Sequence, residues 1–227
     1  IDRLKEAKKR GLDIRRHPQD EDKIMVGGHK MFAQRSTDNG KSWDRHEWNI
    51  PGVSSIASFG GPRTALLSDG TVLIPTYTGW ARETGHNFVW RSSDHGVTWR
   101  LISTGIPQQD LNPNETTIIE TSPGQVLQLS RTEKDVSGYL LERWSDDGGI
   151  TWSHAVETSI LGFPAHMLKL RDGRLICCYG YRWEPMGVRA VVSHDNGKTW
   201  DVKGMVVLRD DGGNQGALRT YNSVAEQ

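Results

Sequence analysis

Glu115 and Arg131 are the residues whose spacing points most directly to chemistry. Residues 114–120, Asn-Glu-Thr-Thr-Ile-Ile-Glu, have the composition of a strand, and residues 125–131, Gln-Val-Leu-Gln-Leu-Ser-Arg, of a second. Pro123-Gly124 supplies the turn between them. Antiparallel strands joined this way bring the start of the first beside the end of the second. A carboxylate and a guanidinium therefore meet at one rim. Two readings follow: an ordinary surface ion pair, worth ~0–1 kcal/mol, or part of a site for an anionic ligand. Guanidinium groups suit the second, because their planar fork holds a carboxylate through two parallel bonds. The next unit repeats the layout. Phe163-Pro164-Ala165-His166 opens it, and residues 176–182, Ile-Cys-Cys-Tyr-Gly-Tyr-Arg, close its second strand. Repeat logic points Arg182 to the mouth that holds Arg131, with Arg189 as competitor. His166 takes the place of Glu115. A solvated loop charge and a hydrogen-bonded strand-end histidine are the plainer alternatives for these two.

The elements that must position these groups are announced by a pattern, Ser-x-Asp-x-Gly-x-(Thr/Ser)-Trp. It occurs four times, at residues 36–43, 92–99, 145–152 and 193–200. Recurrence at about fifty residues means stacked supersecondary units. Asp and Ser side chains bond to their own turn backbone, and Gly supplies the left-handed conformation. Thr and Trp then restart a strand, the Trp pinning the turn to its neighbours. Between boxes lie hairpins: residues 64–67 with 71–76, 116–120 with 125–130, and 165–170 with 174–179. Third strands follow at 87–91, 139–144 and 188–192, while residues 25–34 supply later strands of an earlier unit and 219–225 open a further one. The expectation is all-β, with about three whole four-stranded units and two partial ones. Residues 1–16 are set apart as a charged arm, helical or disordered, and residues 17–227 form the box-containing domain.

Composition narrows the partners. Lys plus Arg and Asp plus Glu both number 28, so the net charge is zero. A general nucleic-acid binder needs a basic excess, and none is present. There is no apolar run long enough to cross a membrane as a helix. No signal-peptide pattern opens the sequence, which begins at Ile1, and no compartment is assigned. Cys177 and Cys178 are strand neighbours on opposite faces and are expected reduced. The eight histidines are scattered, and no metal or organic cofactor is expected. Trp80, His86 and Trp183 fall in inter-strand loops that could line a pocket mouth.

The boxes resemble the Asp boxes of the sialidase (neuraminidase) superfamily, which cap the outer hairpin of each blade of a six-bladed β-propeller. The resemblance covers most of the chain after about Arg15, and Asn114-Glu115 with Arg131 is its sharpest stretch outside the boxes. It implies an exo-acting, retaining glycoside hydrolase for a glycan or small acidic sugar. Glu115 matches the catalytic glutamate and Arg131 an arginine that binds the sugar carboxylate, with Arg182 the candidate for another and Arg189 its competitor. Tyr221, in Arg219-Thr220-Tyr221-Asn222-Ser223, matches the nucleophilic tyrosine. A phenol with a pKa of ~10 needs a neighbouring base, and Glu115 fills that role. The acid/base aspartate matches Asp20 or Asp22, with Asp20 preferred. One element is missing. The family's Arg-Ile-Pro motif has no counterpart in residues 1–14. Arg15 or Arg16 substitutes for its arginine, or the protein is impaired, or the substrate is not a sialoside. The alternative function is a non-catalytic carbohydrate-binding or protein-interaction propeller. The unit count is also compatible with closure by pairing with a second copy.

Overall fold

The computed structural model describes residues 2–9, 13–17, 20–27, 30–49, 64–77, 87–104, 113–132 and 137–212. The chain divides into two compact units, Ile1–Ser58 with Thr78–Glu83, and Phe59–Tyr77 with Thr84–Gln227.

Among the described residues the first unit has the helix α1 (Asp2–Lys9) and the strands β1 (Asp13–His17), β2 (Asp20–Gly27), β3 (Lys30–Arg35) and β4 (Asp44–Asn49). The charged opening segment is thus helical, with Lys8 and Lys9 in its last turn, where cations complement the helix dipole. β1 pairs antiparallel with β2, and β3 with β4. The stretch 25–34 is divided between these two sheets. β2 ends at Gly27, a residue that weakens strand continuity because it has no side chain to pack.

The described residues of the second unit form three four-stranded antiparallel sheets, each with strands in chain order. They are β5 (Ala65–Leu66), β6 (Val72–Tyr77), β7 (Asn87–Ser92) and β8 (Arg100–Thr104); β9 (Asn114–Ser122), β10 (Gln125–Arg131), β11 (Tyr139–Ser145) and β12 (Val156–Leu161); and β13 (Ala165–Lys169), β14 (Leu175–Tyr181), β15 (Met186–Ser193) and β16 (Val206–Gly212). Alternation sends neighbouring side chains to opposite faces, so β10 serves two interfaces. Val126 joins Ile118 against Ala65, Leu67, Leu73 and Val89 of the preceding sheet. Leu127 and Leu129 join Leu140 against Ala165, Met167, Leu175, Cys177, Tyr179 and Val191 of the following one. Leu127, Leu129, Leu140 and Leu175 are fully buried. Each such side chain contributes about 1.5–3 kcal/mol of apolar transfer.

The four boxes are near copies in geometry. In each, the Ser Oγ donates to the Asp carboxylate and accepts from the box Gly N–H, both at 2.7–2.8 Å. The Thr or Ser just before the box Trp donates its N–H and its hydroxyl to the same carboxylate. The indoles of Trp43, Trp99 and Trp152 donate to the box Gly carbonyl at 3.1–3.2 Å. Two of the boxes restart the strand at once, as the pattern suggests. The third and fourth do not: β12 begins at Val156 and β16 at Val206. In the fourth, Asp201 accepts the Gly204 N–H at 2.9 Å and so holds a further turn. Gly197 shows why the box needs glycine. Its φ is +90°, and a Cβ there would lie 2.7 Å from a Leu127 methyl of the neighbouring sheet.

The bonds also hold the box carboxylates low. The Ser42 hydroxyl and N–H lower Asp38, and those of Thr98 lower Asp94, each to about 2. At Asp147 burial pushes upward, but the bonds from Thr151, Ser145 and Ile150 outweigh it and the value is again about 2. Lowered carboxylates stabilise the fold fully above their ordinary value of 3.8, and that contribution is lost as pH falls towards about 2. The thermal midpoint is expected to drop steeply between pH ~4 and ~2, and less steeply in Asp147→Asn. A midpoint equally pH-dependent in the variant, measured by calorimetry, would contradict this origin.

Glu120 ties two sheets at the box end. Its carboxylate accepts from Ser68 N at 2.7 Å, Ser68 Oγ at 3.0 Å and Gly124 N at 3.0 Å. Glu120→Ala removes three charge-assisted bonds and is expected to cost about 1–3 kcal/mol in urea unfolding. Glu120→Gln, which keeps one acceptor, is expected to cost less.

Candidate active site

The box end and the Glu115 end of these sheets are opposite. Val126, near the start of β10, lies across from Ser145, where the third box begins, while Arg131 ends β10 and pairs with Asn114. Seven residues of strand separate the two ends, about 20 Å.

At the far end Arg131 Nη1 donates to Glu115 Oε2 at 2.7 Å, with the Glu115 side chain 4 % and the Arg131 side chain 13 % exposed. The expected pairing at one rim is present. The backbone there is unusual, since Glu115 has φ +37°. Among the described residues the other non-glycine positions with positive φ are Asn39, His95 and Asn196, all at one box position. Those three occupy a turn that favours them. Glu115 stands in a strand, where such a conformation costs about 1–3 kcal/mol and marks sites whose geometry matters. A buried network underlies it. Ser130 Oγ accepts from Asn87 Nδ2 at 3.1 Å and Gln128 Nε2 at 3.2 Å, and meets Thr116 Oγ1 at 3.0 Å. Such a network, cross-linking β7, β9 and β10, holds the strand ends in one arrangement.

Arg182 joins this pair through an aromatic ring. The Arg131 guanidinium carbon lies 4.5 Å from the Phe163 ring centroid, and that of Arg182 lies 5.1 Å from the same centroid. Phe163 is 1 % exposed. Its ring meets Trp183 edge-on, with centroids 5.8 Å apart, and Trp183 meets Tyr181 at 5.4 Å. Two cations from adjacent sheets and one carboxylate thus gather at one rim. The arrangement can bind an anion and can move a proton at the Glu115 carboxylate.

Arg189, the competitor to Arg182, is a buried structural residue. Its guanidinium donates to the carbonyls of Pro185, Val188 and Arg209, and it lies 4.9 Å from the Tyr181 ring centroid. His166 is half-buried and pairs with Cys178, an interior residue of β14, whereas Glu115 sits where β9 meets the last residue of β10. Cys177 and Cys178 are free thiols, and burial pushes both upward, which keeps them protonated. Arg15 and Arg16 lie on β1, and Asp20 opens β2 opposite His17, all in the first unit. Tyr221, Trp80 and His86 lie outside the described residues. No group of three or more metal-ligating side chains occurs among the described residues, and no helix there is long and apolar enough to cross a membrane. Phe163, the Ser130 network and the strain at Glu115 were not foreseen. Phe163 carried a faint signal, its place just before the strand opened by Ala165. Positive φ at a glutamate carries none.

The family model for BNR repeat-like domains matches residues 17–211. The chain belongs to that family. Its fold is the sialidase-type β-propeller fold, as solved structures show. A protein of unknown function from Dyadobacter fermentans is 26 % identical, with a TM-score of 0.66 over 80 % of this chain and 53 % of that one. The NanB sialidase of Streptococcus pneumoniae is 20 % identical, with a TM-score of 0.56 over 81 % of this chain and 29 % of that one. A Hadza microbial sialidase is 20 % identical, with a TM-score of 0.57 over 82 % of this chain and 36 % of that one. This chain therefore spans about half the length of the first and about a third of the sialidases. No curated protein matches it.

The nearly buried ion pair has a measurable signature. Glu115→Ala leaves a buried cation and Arg131→Ala a buried anion, so each is expected to cost about 2–4 kcal/mol. The double variant is expected to cost clearly less than the sum. Additive losses in denaturant unfolding would mean the two groups do not sense each other.

Proposed function

We propose that this chain carries the acid-sugar site of a sialidase-type exo-glycosidase. The observation that carries the reading is the Glu115–Arg131 pair, set in a strained strand end beside Arg182. Arg131 and Arg182 hold the sugar carboxylate, each offering a planar pair of donors. Tyr221 is the nucleophile. Glu115 takes the phenol proton as the oxygen attacks the anomeric carbon, because a neutral phenol is too weak alone. A neutral phenol suits this site, since a carboxylate nucleophile would be repelled by the substrate's own carboxylate. The scheme also needs a group that protonates the departing glycosidic oxygen and then activates the water that releases the sugar with retained configuration, the role that the family resemblance gives to Asp20. No metal or organic cofactor enters the scheme.

A second reading is a propeller that binds an acidic sugar without cleaving it, since a fold does not fix a function. Release of a fluorescent aryl group from an α-sialoside separates the two. The enzyme reading predicts turnover that falls by about 10²-fold or more in Glu115→Gln and in Tyr221→Phe. A folded protein that binds the acid sugar yet shows no turnover would be the binding propeller. Neither binding nor turnover would reject the acid-sugar site itself.

A further inference from the structure

We propose that Phe163 is a positioning residue, its ring holding the Arg131 and Arg182 guanidinium groups as one two-cation anion clamp. The inference deepens the acid-sugar reading and rests on it only for the identity of the anion. Arg131 comes from the end of β10, and Arg182 follows the end of β14, so the two cations belong to different sheets. Nothing in either strand alone sets their separation. Phe163 is the shared element, within 4.5 Å of one guanidinium carbon and 5.1 Å of the other, centroid to carbon. The negative face of an aromatic ring attracts each cation and offsets part of their mutual repulsion.

The ring is itself fixed. Phe163 N donates to the Gly180 carbonyl at 2.8 Å, and the preceding Gly162 N donates to the Gly138 carbonyl at 3.0 Å. These bonds anchor the segment to the third four-stranded sheet at one step and to the second at the next. Trp183 closes the ring edge at 5.8 Å. Burial of 99 % leaves the ring no other place to go, as its 1 % exposure records. A clamp of this kind suits a carboxylate, a planar anion with two acceptor oxygens, because each guanidinium presents a planar edge.

The test must separate ring electronics from core filling. Fluorinated phenylalanines at position 163 keep the volume nearly constant and weaken the ring quadrupole stepwise. Phe163→Leu is the conventional companion. Two quantities are read: ¹H–¹⁵N guanidinium spectra of Arg131 and Arg182 in the free protein, and N-acetylneuraminic acid binding by calorimetry. The expected result is graded loss of the distinct guanidinium signals along the fluorinated series, with affinity weakened by about ten-fold at its end. Guanidinium signals unchanged along that series would overturn the proposal, whatever Phe163→Leu does to folding. If the signals change but the wild-type protein binds no N-acetylneuraminic acid, the positioning role stands and the acid-sugar reading fails.

Discussion

The packing of the β9–β12 sheet against the β13–β16 sheet is the constraint on which the candidate site depends. Leu127, Leu129 and Leu140 from one side meet Met167, Leu175, Cys177, Tyr179 and Val191 from the other. Interiors packed at crystal-like density tolerate little sliding. Fixing the two sheets face to face also fixes the relative height of their strand ends. Arg131 and Arg182 then reach the same ring although 51 positions separate them in the chain. A shift of one residue in either strand would turn its apolar set to the wrong face. The register that buries the leucines is therefore the register that assembles the rim.

The two ends of each sheet do different work. At one end the Ser–Asp–Thr turns satisfy their own backbone and wedge a glycine against the neighbouring sheet, as Gly197 does against Leu127. Glu120 adds a bond across sheets at that same end. Most of this hydrogen bonding is local in sequence, which is why four copies look alike. At the other end the polar groups bond across sheets and between strands, as Asn87 does with Ser130. Those contacts differ from sheet to sheet, and there the chain departs from its own repeat.

Glu115 and Arg131 are not explained by stability. A nearly buried ion pair gains little over a well-packed apolar pair of the same volume, because desolvation opposes the attraction. The left-handed backbone at Glu115 adds a further cost. Two unfavourable choices thus meet at one strand end, next to a second arginine. Arg189 is the instructive contrast. It is more deeply buried, and its guanidinium donates to three backbone carbonyls, so it braces β15 and β16.

The sequence by itself determined the repeat, the strand order within each sheet and the meeting of Glu115 with Arg131. All three rest on short-range information: turn residues at fixed offsets, alternation of apolar positions, and a hairpin that returns the chain to its starting end. Repeat logic also pointed to Arg182, with Arg189 as its competitor. Only tertiary structure shows which carbonyls and which ring each of these guanidinium groups meets across sheets. The same holds for Phe163, whose role exists only once two sheets are stacked, and for the strained φ of Glu115, which no residue type announces. Residues 25–34 were divided between two sheets for a similar reason. Pairing partners, not local propensity, decide where a strand ends.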